Sequence, residues 1–247
     1  MGLRRLISIC AGFLILFFIY HFPEFFDSFL LNAIFKIGFL IVAFIVARSQ
    51  GLNGLGGFGL SFSRKWLYTF LIGLATGIVF FTGSIAISVA LGYEYIEKVQ
   101  GVSFFMQQLP LMLVMTAFPS IAEDILTRGY LYGHFKQMQP LLWVLFSSTV
   151  YVLNHIWRLN DGAAVLVYLF MLGLCLATCV ITDKSLWLAF GVHWGANIAF
   201  ELSRAGLVTQ ETGSKDMPFW ILAGTWSIFL MILFAIDYRK RIFFYNR

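Results

Sequence analysis

The longest apolar stretch of this chain reads FFMQQLPLMLVMTAFPSIAEDILTRGYLYGHF and covers Phe104–Phe135. As one straight helix it would measure about 48 Å, more than the roughly 30 Å hydrocarbon core of a bilayer. Pro119 cannot donate a backbone hydrogen bond and predicts a bend. Shortly after it, the apolar sequence is interrupted by Glu123, Asp124 and Arg128. Because a charge at mid-bilayer costs about 2.5–3.5 kcal/mol, we expect these side chains to face a protein interior.

The composition of the whole chain explains why most of it is expected to meet lipid. Of its 247 residues, 60% are hydrophobic and only 12% are charged. Soluble proteins average about 45–50% and about 25%. No polar block is long enough for a soluble domain, so residues 1–247 are predicted to form one integral-membrane domain. The formal net charge of +5 is explained by loop topology and does not indicate a nucleic-acid partner.

Eight apolar stretches are candidates for membrane spans of about 20 residues. The predicted fold class is therefore all-α, a polytopic membrane helical bundle of about eight transmembrane helices, with a catalytic-type core at about 104–205. Gly73 and Gly77 favour close helix packing. The predicted spans are Leu6–Tyr20, Ser28–Ala47, Trp66–Leu91, Phe104–Phe135, Leu141–Trp157, Ala163–Thr182, Leu186–Ala205 and Phe219–Tyr238.

Positive charges in the loops favour an orientation with both termini in the cytoplasm. Arg4 and Arg5 precede the first span, and with the N-terminus inside, most of the 17 lysines and arginines lie on the cytoplasmic side. An even number of spans returns the C-terminus, including Arg247, to that side. Short loops and this charge bias together predict the inner (plasma) membrane of a bacterium.

Two further apolar stretches carry histidine. VYVLNHIW places His155 in the fifth predicted helix, four residues after Tyr151, and GVHWGAN places His193 in the seventh, four residues before Asn197. Residues four apart share one face of a helix. Counted from the turn between the fourth and fifth helices, Glu123 and His155 both lie about 21 Å along their helices and should stand level. His193 lies near the start of its helix, which would have to begin deeper or tilt to reach them.

Carboxylate and imidazole groups that converge inside a membrane indicate a functional site. Glu123 is predicted to deprotonate a water molecule, which His155 would orient or whose proton it would pass on. His193 and Asn197 offer N–H donors to an oxyanion that develops at a peptide carbonyl. Together these groups predict peptide-bond hydrolysis without a covalent intermediate.

The same residues also suit a zinc site. Zinc accepts two histidines and one glutamate with water in the fourth position, so its ligands would be Glu123, His155 and His193. The chain has no HExxH motif, and these ligands would come from separate helices. Apart from this zinc, no cofactor is predicted. Neither polar motif pairs a serine with histidine, and a GxGD-type aspartate motif is absent, which disfavours the serine and aspartate classes of intramembrane protease.

In this order, the motifs resemble those of the CAAX-protease and bacteriocin-processing intramembrane endopeptidases, also called the abortive-infection family. The family pattern is EExxxR, then FxxxH, then HxxxN. The resemblance covers about Met112–Glu201, with Asp124 in place of the second glutamate and Tyr151 in place of phenylalanine. The three motifs here read Glu123-Asp124-Ile125-Leu126-Thr127-Arg128, Tyr151 to His155, and His193 to Asn197.

The resemblance implies an endopeptidase that cleaves a membrane-associated or lipid-modified peptide, here expected near the cytoplasmic half of the bilayer. Its partners would be this peptide and the lipid bilayer; prenylated CAAX peptides are substrates of one branch, and bacteriocin leaders fit others. The implied catalytic set is Glu123 as the water-activating base, His155 as its partner, and His193 with Asn197 as oxyanion stabilisers. The implied supporting set is Asp124, Arg128 and Tyr151, in which Arg128 is expected to hold the motif together through an ion pair with Asp124.

Two other functions stay open at this level. One is a non-catalytic membrane scaffold or immunity protein, which would not need Glu123 or His193. The other is a proton-coupled transporter that uses the same groups as a relay. Outside the motifs, Lys36 has no identifiable partner in the sequence, and His21 and His134 are predicted to lie at the membrane interface.

Overall fold

A computed structural model describes residues 2–245, without the side chains of Glu211 and residues 237–245. The C-terminal residue of the orientation argument, Arg247, lies outside the described residues. Eight long helices coincide with the eight predicted apolar stretches. They are α1 (Leu3–His21), α2 (Phe29–Ser49), α4 (Trp66–Ala90), α5 (Val102–Asp124), α7 (Pro140–Asn154), α8 (Ala163–Asp183), α9 (Trp187–Gly206) and α10 (Met217–Tyr245). Two short helices, α3 (Gly54–Gly57) and α6 (Tyr130–His134), complete the set in this part of the chain.

The predicted class of helical membrane bundle is confirmed. Within the described residues, six helical segments are long and apolar enough to cross a bilayer, and α5 with α6 forms the longest of them, Val102–His134. The shorter α7 and the more polar α9 are not among the six. Helix α9 packs against α4, α5 and α8, so much of its surface meets protein rather than lipid and tolerates polar residues.

A small antiparallel sheet was not predicted. It pairs β1 (Glu94–Val99) with β2 (Leu207–Glu211). In the sequence, β1 is an alternating YEYIEKV segment between Gly92, whose φ is 77°, and Gly101. Strand β2 follows α9 directly, after Gly206. Its pairing depends on a segment about 110 residues away in sequence, which no local pattern shows.

The sheet identifies one end of the bundle, which we call the sheet side. The segment after α4 contacts the segment before α10 through a hydrogen bond from Thr212 N to Tyr93 O, and Gln100 N, before α5, donates to Gly206 O at the end of α9. On the same side, Trp157, after α7, donates to Glu24, after α1. Helices α1, α4, α7 and α9 therefore end on the sheet side, and the first residues of α1 lie at the opposite end.

Glycines on both partners bring α4 and α9 into close contact. A side-chain carbon at Gly77 would collide with the backbone of Val192, and one at Gly195 would collide with the backbone of Leu74. Such contacts require small residues on both helices. Because His193 lies between the close-packed positions of α9, this glycine seam fixes the helix that carries the third motif.

The long span Val102–His134 is irregular beyond the predicted position. Helix α5 continues through Pro110 and Pro119, and it changes to a π-helical turn only at Ile125–Gly129. Such turns insert an extra residue into a helix and are frequent at functional sites. Glu123 and Asp124 are the last α-helical residues before this turn.

Candidate active site

The first motif surrounds the π turn. Glu123 and Asp124 end α5, and Arg128 lies inside the turn. The Asp124 Oδ1 atom accepts a hydrogen bond from Arg128 Nη1 at 2.5 Å, and both side chains are fully buried. The guanidinium carbon of Arg128 also lies 4.4 Å from the centre of the Tyr151 ring. The buried charges of the motif are thus paired with each other, as a low-dielectric interior requires.

The prediction that His155 lies within a helix is wrong. Helix α7 ends at Asn154, and His155 adopts φ −85° and ψ 54°. Its Nδ1 atom lies 2.8 Å from Tyr151 O, the carbonyl that the backbone N–H of His155 would bond in a continuing α-helix. The backbone N–H bonds Val152 O instead. The imidazole thus takes over a helical acceptor, and the helix stops one turn before the predicted end.

Glu123 lies between the two histidines. Its Oε1 atom is 3.5 Å from His155 Nδ1, and its Oε2 atom is 3.6 Å from His193 Nε2. These separations are longer than direct hydrogen bonds and suit a water molecule or substrate group shared between the side chains. Glu123 is 7% exposed and His193 is 2% exposed. Three elements far apart in sequence therefore bring an acid and two imidazoles to one point.

Asp124 also orients His193. Its Oδ1 atom lies 3.1 Å from His193 Nδ1, in addition to the bond from Arg128. A carboxylate at Nδ1 accepts a hydrogen bond from Nδ1–H, so Nε2 is the atom that faces Glu123, as an acceptor in a neutral ring or as a donor in a charged one. The sequence assigned Asp124 only to the ion pair with Arg128, because its contact with α9 depends on the tertiary fold.

Asn197 and Tyr151 border the same space. The Nδ2 group of Asn197 donates to Ser120 Oγ at 2.9 Å, which uses one of its two N–H donors. The Tyr151 ring packs edge-on against His155, with ring centres 4.6 Å apart, and against His193 at 5.9 Å. The aromatic ring therefore separates the two imidazoles and restricts their rotation.

Sequence reasoning missed Asn154 and the partners of two other polar residues. Asn154 Nδ2 donates to Glu123 Oε1 at 3.0 Å. His21, predicted at the membrane interface, is buried within the protein, and its Nε2 atom lies 3.1 Å from Asn154 Oδ1. Lys36 does have a partner, since its Nζ atom donates to Glu24 Oε1 at 3.0 Å. In the sequence, the only local indication of these contacts was the three-residue spacing of His21 and Glu24, which suits a contact across one helical turn.

A cavity of about 740 Å³ gives access to the cluster. Such a volume falls within the range of small-ligand and peptide side-chain pockets. Towards the sheet side its wall includes charged residues of the loops and strands, among them Glu94, Arg158 and Lys215. Its inner wall includes the side chains of Glu123, Tyr151, His155, His193 and Asn197.

The zinc arrangement does not fit these contacts. The atom of His155 that faces Glu123 is Nδ1, and this nitrogen is engaged with Tyr151 O. Nε2 of His193 is available to a metal, since Asp124 engages only Nδ1 of this ring, so the misfit lies at His155. Within residues 2–245, no group of three or more histidine, cysteine, aspartate or glutamate side chains is arranged to hold a metal ion. We therefore derive no catalytic step through a metal.

Comparison with known proteins confirms the resemblance seen in the motifs. Residues 105–199 match the family model described as Rce1-like, type II CAAX prenyl endopeptidase. The matched segment contains all three motifs and leaves out α1, α2, α4 and α10. No curated protein matches the chain. The match supports a CAAX-type protease in a membrane-helix protein.

Proposed function

We propose that this protein, whose residues 105–199 form an Rce1-like segment, is an intramembrane endopeptidase that hydrolyses a membrane-associated or lipid-modified peptide with water activated by Glu123. The supporting observation is the position of the Glu123 carboxylate, which lies 3.5 Å from His155 and 3.6 Å from His193 at the wall of the 740 Å³ cavity. An acid and two imidazoles around one accessible space suit a bound and activated water.

Glu123 acts as the general base. Its Oε2 atom is the oxygen that has no hydrogen bond to Asn154, so it faces the space in front of His193. The carboxylate takes a proton from water while the water oxygen attacks the peptide carbonyl. His155, whose side chain is 19% exposed, borders the cavity and helps to hold the water.

His193 and Asn197 stabilise the oxyanion that forms on the carbonyl oxygen. Asn197 has a second N–H donor beside the one bonded to Ser120. His193 donates from Nε2 when it is charged, and the buried Asp124 carboxylate at Nδ1 stabilises that charge. The aspartate of a serine-protease triad has the same role, because it orients the histidine and stabilises its imidazolium form. The C–N bond then breaks as Glu123 returns its proton to the leaving amine.

The position of the cavity bears on the side of the membrane where cleavage occurs. The cavity extends towards the sheet side, whereas α1 begins at the opposite end. If the termini are cytoplasmic, as we propose from the loop charges, the cavity opens away from the cytoplasm. The expectation of cleavage in the cytoplasmic half of the bilayer is incompatible with that orientation, and we propose cleavage in the outer half.

The test is cleavage of a fluorescent farnesylated peptide with a C-terminal CAAX sequence by the full chain in proteoliposomes. Glu123→Gln should lower kcat by about 10²- to 10⁴-fold, the usual contribution of a general base, without loss of folded protein. Glu97→Gln is the matched control, because Glu97 lies on the exposed face of β1 and bonds only Gln210. Unchanged cleavage by Glu123→Gln would overturn the proposal that Glu123 activates the water, whereas absence of cleavage by the unchanged protein would favour a scaffold.

Chelation distinguishes the two ways of activating water. With Glu123 as the base and no metal step, incubation with 1,10-phenanthroline should leave kcat unchanged. Loss of cleavage that is restored by added zinc would instead support the arrangement with Glu123, His155 and His193 as ligands. Peptide-independent proton flux across the proteoliposome, with no cleavage, would favour the transporter.

A further inference from the structure

A chain of hydrogen bonds leads from the N-terminal helix to the proposed base. Glu24 Oε2 lies 2.6 Å from His21 Nδ1, and His21 Nε2 lies 3.1 Å from Asn154 Oδ1. Asn154 Nδ2 then donates to Glu123 Oε1 at 3.0 Å. His21 and Glu24 lie outside the segment 105–199 that matches the Rce1-like family model. This series of hydrogen bonds therefore adds residues to the site that the family match does not assign.

The two carboxylates at the ends of this series of hydrogen bonds determine which group donates at each step. Glu123 as a carboxylate only accepts, so Asn154 must present its amide N–H₂ group to it. The carbonyl oxygen of Asn154 then faces His21 and requires a donor, which His21 Nε2–H provides. The opposite nitrogen of the same ring faces a carboxylate oxygen of Glu24, another acceptor. With two acceptors, the imidazole satisfies both when it carries a proton on each nitrogen.

Two further side chains hold Glu24 in place. Lys36 Nζ donates to Glu24 Oε1 at 3.0 Å and to Tyr20 O at 2.7 Å, and it lies above the Tyr20 ring. Trp157 Nε1 donates to Glu24 Oε2 at 3.0 Å. Glu24 thus accepts from three side chains and is held in place between α1, α2 and the segment after α7. Buried polar networks whose members are all bonded fix one geometry.

We propose that His21 is a positioning residue for the reaction, acting through Asn154 on Glu123 and held by Glu24. The inference rests on the proposed function. Asn154 occupies Oε1 of Glu123, and this leaves Oε2 directed at the space in front of His193. Without the donor at Oε1, the carboxylate is free to rotate about its last side-chain bond. Helix α1 therefore supplies part of the active site, although it carries none of the three motifs.

The series of hydrogen bonds from Glu24 to Glu123 sets the angle of the Glu123 carboxylate. Loss of these hydrogen bonds should therefore affect the chemical step more than substrate binding. A displacement of a reacting group by about 1 Å lowers rates by about 100-fold. Asn154→Asp keeps the shape of the side chain and removes the N–H₂ donor, and it should lower kcat by about 100-fold with KM within about twofold. His21→Ala should lower kcat by about 10- to 100-fold, and His21→Gln, whose amide can donate to Asn154, should recover most of the loss.

The experiment measures kcat, KM and the thermal midpoint for these variants in the farnesylated-peptide assay, with kcat normalised to folded protein. His134→Ala is the matched control, since His134 also lies at a helix end, is half-buried where His21 is buried, and bonds the side chain of Gln50 at 2.8 Å. Asn32→Asp is the control for the isosteric change, because Asn32 bonds only the backbone carbonyls of Pro23 and Ser28. Both controls should keep the kcat of the unchanged protein.

The outcomes separate this inference from the proposed function. If the unchanged protein cleaves and Glu123→Gln does not, while Asn154→Asp and His21→Ala keep full kcat, the positioning role is overturned and the protease stands. A purely structural role predicts that both variants lose thermal stability with normal kcat per folded molecule, and that His21→Gln gives no recovery of rate. If the unchanged protein fails to cleave, the proposed function and the positioning role fall together.

Discussion

Two polar clusters lie on either side of the π turn in the same long span. On the sheet side of this turn, Glu123 faces His155 and His193 at 3.5 and 3.6 Å, and these three residues, which we propose to be catalytic, are called the catalytic cluster. Beyond the turn, Tyr130 and His134 join Gln50 in what we call the Gln50 cluster. There, His134 Nε2 and Gln50 Oε1 are 2.8 Å apart, and the Tyr130 hydroxyl donates to the backbone carbonyl of Ile9 at 2.7 Å.

The two clusters differ in whether their polar groups stay available to a substrate in the cavity. In the Gln50 cluster the side-chain contacts are direct hydrogen bonds between neutral groups, with lengths of 2.7–3.0 Å. None of its three members is among the described residues that line the 740 Å³ cavity. The catalytic cluster contains a charged group and borders the cavity. Its carboxylate and its imidazoles lie slightly too far apart to form direct hydrogen bonds with each other. Polar residues in a membrane thus indicate function when their partners leave room for a substrate, and packing when they do not.

Replacement of Arg128 should produce the largest loss of stability. Arg128→Met leaves Asp124 buried without its 2.5 Å partner, and removal of one member of a buried ion pair typically costs about 3–5 kcal/mol. We expect a much lower thermal midpoint in detergent and little folded protein. Arg64→Met is the matched control, because Arg64 is exposed before α4. Equal midpoints for the two variants would show that the buried pair does not hold the catalytic cluster together.

Replacement of Asp124 tests whether its negative charge stabilises the charged form of His193, the proposed hydrogen-bond donor to the oxyanion. Asp124→Asn keeps the size of the side chain and removes the negative charge that faces His193 Nδ1 at 3.1 Å. A charged His193 loses its stabilising partner, so we expect kcat to fall by about 100-fold, equivalent to about 2.7 kcal/mol. Steady-state cleavage of the farnesylated peptide measures this change.

The control for that prediction is Asp27→Asn, since Asp27 is exposed in the segment before α2. It should keep both kcat and the thermal midpoint. If Asp124→Asn loses stability and keeps its kcat per folded molecule, Asp124 serves only its ion pair with Arg128. The two clusters would then be more alike than their geometry indicates.

The sequence predicted what depends on local spacing. Apolar runs located all eight long helices, and Asp124 and Arg128, four residues apart in the first motif, form the ion pair that was expected of them. It did not predict that His155 leaves its helix, because that choice depends on a side-chain bond to Tyr151 O. It could not show that α1 reaches the site, since His21 and Asn154 are 133 residues apart and their contact exists only in the folded bundle.

Replacement of Gln50 should have the smallest effect and tests the comparison from its other side. Gln50→Ala removes the side-chain bonds to Ser8 O, to Tyr130 and to His134, which join α1 and α2 to the span Val102–His134. Hydrogen bonds between membrane helices contribute about 0.6 kcal/mol each on average, so we expect a loss of about 1–2 kcal/mol in unfolding free energy. The variant should lower the thermal midpoint in detergent by a few degrees and leave kcat and KM unchanged.

A fall in kcat per folded molecule would show that the Gln50 cluster affects the catalytic cluster through the π turn, because Gln50 and its partners border no part of the described cavity wall. In that case the satisfied hydrogen bonds at this end would belong to the catalytic apparatus, and direct bonding between neutral groups would no longer distinguish packing from function.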